Sequence, residues 1–283
     1  MVRLESSQCQ HCYCFRLLRD VPGQFPSGGL VRHNLDIYRL NAPDVEFYAP
    51  DIYLQNHGKI CDCFSDGKQP LSIPEPRQND YGLRRMWSAF GNYQAIVSSP
   101  FGIDSIAPKA CTLALRYGLI DKVQNYILDT HANCPEDIMG LYFDERDSSK
   151  ADPTRSRTLG DYHLTIERAF VFGNSGTAAG LIISQPGDRY LLVGYDFPVA
   201  FKSTNPRPTF TGILKADALD EDGKNGLRRI RSLNGDETQY GETLGLPVQN
   251  PDYDGFPIPS LVPAGTMIVE CVPYSIEETG EDF

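Results

Sequence analysis

The chain has 283 residues, of which 41% are hydrophobic, enough apolar material for one large domain or two ordinary ones. Asp and Glu total 37 against 26 Lys and Arg, a formal charge of -11, which repels phosphate backbones and argues against nucleic-acid binding. No run approaches the roughly 18 apolar residues of a membrane span, so no membrane partner is expected, and residues 1–20 lack the apolar core of a signal peptide.

In chain order, residues 1–20 match no structural pattern and are expected to be disordered. They hold Cys9-Gln10-His11-Cys12-Tyr13-Cys14, whose thiols and imidazole are of the kind zinc prefers. No second Cys-x-x-Cys completes a site, because Cys61 and Cys63 are a single residue apart, and no metal or cofactor is expected. From residue 21 to about 130, short apolar strands alternate with helical patterns. Val45–Ala49, Leu71–Ile73 and Ala95–Ser98 read as strands. Leu83, Met86, Trp87 and Phe90 repeat at helical spacing, as do Leu119, Ile120, Val123 and Ile127. Such βα repetition predicts a parallel sheet. Trp87, at its helical position, reads as core.

Beyond about residue 135 the texture becomes that of an antiparallel β-sandwich, predicted over 135–276. Strands are expected at Ile138–Phe143, Tyr162–Ile166, Ala179–Ser184, Arg189–Gly194, Thr209–Leu214 and Met267–Val272. Gln185-Pro186-Gly187-Asp188 reads as a hairpin, and Asp222-Gly223 and Asn234-Gly235 as turns. Asp144–Arg157 and Leu244–Pro263 read as long loops, and residues 277–283 as a frayed acidic tail.

In parallel βα folds, function gathers where strands end. The first N-terminal strand runs into Asp51 and Tyr53, the second into Glu75 and Arg77, the third into Ser99, Phe101 and Asp104. A carboxylate, hydrogen-bonding groups and an aromatic face together suit a sugar. The same residues have plainer readings, Asp51 as a helix cap and Glu75 as a solvated loop residue.

Several segments, taken in order, carry a resemblance. Pro26-Ser27-Gly28-Gly29, Asp36-Ile37-Tyr38-Arg39, Ala49-Pro50-Asp51-Ile52-Tyr53, Ile73-Pro74-Glu75, Trp87-Ser88-Ala89-Phe90 and Ser99-Pro100-Phe101-Gly102-Ile103 resemble the late barrel of β-galactosidases in glycoside hydrolase family 35. Gly180–Ile183, Leu191–Gly194, Asn234–Glu237 and Glu270–Tyr274 are similar to a C-terminal β domain of unknown function in a subgroup of that family. The resemblance spans about residues 21–275. It implies an α/β plus all-β chain, in which the last three or so units of a partial (β/α)8 barrel (residues 21–130) precede the antiparallel β-sandwich. It also implies a retaining mechanism, with Glu75 as the catalytic nucleophile. Tyr53 is then the candidate to hydrogen-bond that nucleophile, or else an interfacial aromatic. Asp51 and Phe101 complete the expected substrate contacts, Phe101 by stacking. Arg77 either steadies the nucleophile loop or faces solvent, and solvent is the preferred reading.

In that family the acid/base Glu follows an Asn on the fourth barrel strand, and no Asn-Glu pair occurs in this chain. The first barrel half therefore reads as absent, which would leave an open strand edge able to self-associate. Loss of the acid alone removes a factor of about 10²–10⁴. The resulting expectation is a C-terminal fragment of a retaining β-galactosidase-type hydrolase, inactive by itself, with a β-galactoside as its carbohydrate partner. The alternative is a non-catalytic carbohydrate-binding or structural β module with a vestigial barrel. Family members are often secreted, and no localisation follows from this chain.

Overall fold

A computed structural model describes residues 6–7, 35–53, 56–65, 67, 69–106, 112–170, 175–224, 226–245 and 265–277. The cysteine–histidine run at 9–14, the Pro26–Gly29 segment, most of the expected 244–263 loop and the tail from 278 lie outside these residues. The chain divides into two compact units, Met1–Ala114 and Leu115–Phe283.

In the first unit, helices α1 (Leu35–Asn41), α2 (His57–Phe64) and α3 (Asp80–Tyr93) alternate with very short strands. The strands are β1 (Ser6–Ser7), β2 (Ala49–Ile52), β3 (Ser72–Ile73), β4 (Glu75–Pro76) and β5 (Val97–Ser98). They pair in parallel, in the order β1-β2-β4 and, separately, β3-β5. Helix α3 is well specified. The Asn79 side chain accepts the Gly82 N–H at its start, and Gln94, in the left-handed region, ends it. Its apolar stripe buries Leu83, Met86 and Trp87 completely. A separate cluster joins Tyr48, Ile52, Ile60, Phe64, Leu71 and Ile73.

The second unit takes in most of α4 (Thr112–Asn133), which turns Leu119, Val123 and Ile127 inward, and Lys122 pairs with Asp220 at 2.6 Å. Among the described residues, β6 (Ile138–Phe143), β9 (Ala178–Gln185), β10 (Arg189–Tyr195), β12 (Pro208–Glu221), β13 (Leu227–Leu233) and β15 (Ile268–Glu277) form a six-stranded antiparallel sheet in the order β13-β12-β15-β10-β9-β6. A four-stranded antiparallel sheet has the order β14-β11-β8-β7, from β7 (Arg155–Leu159), β8 (Tyr162–Ile166), β11 (Pro198–Ser203) and β14 (Thr243–Gly245). Both sheets contribute to one core, for example Leu164, Ile166 and Val199 with Ile182, Leu192 and Val269. The β9–β10 hairpin turns at Gly187 and Asp188, both at positive φ.

The architecture corrects the expected fold class. The described chain is predominantly β, with its strands mostly in antiparallel sheets and four α-helices, and it shows no partial (β/α)8 barrel. Proline supplies a physical reason. Pro50 lies inside β2, Pro74 separates β3 from β4, and Pro76 closes β4. A proline donates no N–H to a ladder, so these runs cannot lengthen into barrel staves. The first expected strand, Val45–Ala49, also begins only at its last residue, Ala49.

The two sheets are also tied by a polar contact. The Tyr190 hydroxyl on β10 donates to the Leu159 carbonyl on β7 at 2.7 Å, in a fully buried position. Tyr190→Phe keeps the ring and leaves that carbonyl short of a donor, at an expected cost of about 1–2 kcal/mol. Calorimetric unfolding of the variant should show a lowered transition for this unit; an unchanged transition would mean the bond contributes nothing net.

Candidate functional site

The candidate site grows from one strand pair in the first unit. β2 and β4 run parallel with Asp51 opposite Glu75 and Ile52 opposite Pro76. Residues in register across neighbouring strands project to the same side, so the two carboxyl groups are neighbours. The chain leaves β2 at Tyr53, whose hydroxyl donates to Glu75 Oε2 at 3.0 Å. β4 also receives the third strand end, where the Phe101 N–H donates to the Pro76 carbonyl at 3.2 Å. Four residues singled out from sequence, Asp51, Tyr53, Glu75 and Phe101, are thus gathered around a two-residue strand.

Their environments differ. Asp51 is 1% exposed, and its Oδ1 has no hydrogen-bond partner among the described residues. Burial raises its pKa to about 7, and the adjoining Glu75 carboxylate adds to the rise through its charge and a carboxyl–carboxyl hydrogen bond. Glu75 is half-buried. Burial, then the bond to Glu75, pushes the Tyr53 phenol upward, so it remains a donor throughout the physiological range. Near neutrality Asp51 can therefore carry a proton while Glu75 accepts from Tyr53. Phe101 offers a ring that is 60% exposed.

Other candidates lie elsewhere. Arg77 is exposed, with its guanidinium 5.0 Å from the Tyr81 ring centre. Asp104 is exposed in the short helical turn Ile103–Ser105. Trp87 is wholly buried. Sequence reading did not single out His57 and Cys61, one helical turn apart in α2 and both buried, with Cys61 Sγ 3.7 Å from His57 Nδ1. Burial, reinforced by Arg85, lowers the His57 pKa to about 4, and burial raises that of the Cys61 thiol. The pair is accordingly neutral and apolar in character, the opposite of an activated thiolate. Cys63 Sγ donates to the Lys59 carbonyl, and no group of three or more metal-binding side chains occurs among the described residues.

No curated protein matches the chain. Residues 113–245, running from α4 through β14, match the family model described as a domain of unknown function (DUF5597).

Proposed function

We propose that the chain is part of a retaining glycoside hydrolase of β-galactosidase type, with Glu75 as its nucleophile. The observation that carries this reading is the pairing of Glu75 with two oxygen-bearing neighbours of unequal character, the Tyr53 phenol at 3.0 Å and the buried Asp51 carboxyl in register. A protonated Asp51 and the Tyr53 O–H both donate toward Glu75, keeping it aimed. Its free lone pairs then attack the anomeric carbon. The C1–O bond to the leaving group breaks as the Glu75–C1 ester forms, the leaving oxygen departing with the electron pair and taking a proton from solvent, and water later cleaves the ester to release the sugar and free Glu75. Phe101 offers a face for the sugar ring.

Asp51 does not suit the role of proton donor to the leaving group. Retaining enzymes hold that acid about 5–5.5 Å from the nucleophile, across the bond being cleaved. Asp51 instead stands in register beside Glu75 on the neighbouring strand, shut off from solvent. A test of the nucleophile must therefore need no acid. A 2-deoxy-2-fluoro-β-galactosyl fluoride meets this condition, because fluoride departs unprotonated and the 2-fluoro group slows hydrolysis of the ester. Incubation should add one fluorosugar to the chain, and peptide mass spectrometry should place it on Glu75. A chain that stays unlabelled after prolonged incubation, or that is labelled elsewhere, would refute the assignment.

A further inference from the structure

The second unit carries an aromatic platform that the site at Glu75 does not use. Phe210 on β12 and Tyr274 on β15 stand side by side, ring centres 5.8 Å apart, with Phe210 42% exposed and Tyr274 half-buried. Both rings lie over Gly212, the register partner of Tyr274. A Cβ there would sit 2.7 Å from Phe210 Cε1 and 3.0 Å from Tyr274 Cε1. The glycine thus lets both rings rest against the backbone, their planes tilted 56° to one another.

Two clefts adjoin this surface, one at each ring. One, of about 660 Å³, is lined by Tyr274, Ser275, Asp161 and Asp188; the other, of about 670 Å³, by Phe210, Lys202 and Thr211. Both share Ser203, Thr204 and Asn205. These volumes fall in the usual range for small-molecule sites, about 300–1,000 Å³. The shared wall is held in place. Thr204 donates to the Asp161 carbonyl through its N–H at 3.0 Å and its hydroxyl at 2.9 Å, and the Asn205 N–H donates to Ser203 Oγ at 3.1 Å.

We infer that this surface binds a linear oligosaccharide, with pyranose faces stacked on Phe210 and Tyr274 and sugar hydroxyls bonded to the wall of Ser203, Thr204 and Asn205. A pyranose presents an apolar C–H face and a rim of hydroxyls, which matches rings bordered by hydroxyl, amide and carboxylate groups. A protein or a second copy would bury the rings but would leave two polar clefts to be satisfied. The choice of sugar rests on the reading of Glu75 as a glycosidase nucleophile; the platform itself does not.

The test uses the full chain with β-1,4-galactotetraose and, in parallel, cellotetraose, followed by saturation-transfer NMR and calorimetric titration. Binding of either should weaken about tenfold or more in Phe210→Ala and in Tyr274→Ala. Gly212→Ala should weaken it comparably although both rings remain, because its Cβ displaces them. The Phe210→Ala/Tyr274→Ala double variant should still be labelled at Glu75 by the fluorosugar, which separates this proposal from the previous one. Absence of tetraose binding, or binding indifferent to all three variants, would overturn the inference. So would concentration-dependent dimerisation in sedimentation that the double variant abolishes, since the face would then belong to a second copy.

Discussion

Replacing Glu75 with Gln is expected to abolish labelling by the fluorosugar, with a rate loss of at least about 10⁴-fold. The substitution is nearly isosteric, and the amide oxygen still accepts the Tyr53 hydroxyl that now lies at 3.0 Å. What disappears is the negative charge and the lone-pair nucleophilicity needed to form the ester at C1. Folding should be preserved, as Trp87 emission can confirm, because Trp87 is the sole tryptophan and is wholly buried in the same unit. Tyr53→Phe gives the graded contrast. It removes one hydrogen bond to a charged acceptor, worth about 1.5–3 kcal/mol, so labelling should slow by roughly 10- to 100-fold and remain on Glu75. Undiminished labelling of Glu75→Gln would place the nucleophile elsewhere.

The contrast between what the sequence revealed and what it concealed follows the physics of burial. Strands of the second unit with mostly buried residues were the legible ones, β6 at a sheet edge among them, although the inner strand β11 was not foreseen. β6, β8 and β10 begin at the expected residues, and β9 lies within a residue of them. β7 begins inside the expected 144–157 loop and runs two residues past it, and β13 was not foreseen. Both are edge strands, with sequences Arg-Ser-Arg-Thr-Leu and Leu-Arg-Arg-Ile-Arg-Ser-Leu whose side chains mostly face solvent. An edge strand needs no apolar alternation and gains from charge, so hydrophobic periodicity does not mark it. β12 extends well beyond the expected Thr209–Leu214 and is bulged near Leu214, opposite Pro273, which leaves Leu214 69% exposed. A bulge shifts the register by one residue and breaks any two-residue period.

The first unit inverted this balance. Its strands read as barrel elements because apolar dipeptides recur beside helical patterns, yet the prolines keep the ladders to a few residues. The polar residues after those strands were nonetheless informative, because a chain leaving a buried strand must place its first polar side chains at the rim. Tyr53 reaches Glu75 from just past β2 for that reason, whereas Asp51 and Glu75 themselves lie within β2 and β4. The buried state of Asp51 was not legible. Nothing in Ala-Pro-Asp-Ile-Tyr distinguishes an aspartate facing substrate from one shut beneath a neighbouring glutamate; only the β2–β4 register does so.

That burial leads to a second large effect, on stability. Asp51 has a pKa of about 7 in the folded chain against 3.8 for a free aspartate. The folded state therefore holds this proton more tightly than the unfolded state does. The associated stability is fully present below about pH 4 and is lost as the pH rises through about 7, the reverse of an ion-paired aspartate. The shift corresponds to as much as about 4 kcal/mol. His57 acts in the opposite sense in the same unit, since its folded pKa of about 4 makes stability fall as the medium is acidified from about 6.5. The two overlap between about pH 4 and 6.5, so wild-type stability alone confounds them. Asp51→Asn separates them, because it removes one titration and leaves the other. Asn can still donate to Glu75 and never pays for a buried charge. Urea unfolding followed by Trp87 emission should therefore show Asp51→Asn more stable than wild type at pH 8, by up to about 4 kcal/mol, with the gap closing toward pH 5. A gap of the same size at both pH values would show that Asp51 is not protonated at neutrality, and the two-donor arrangement around Glu75 would fall with it.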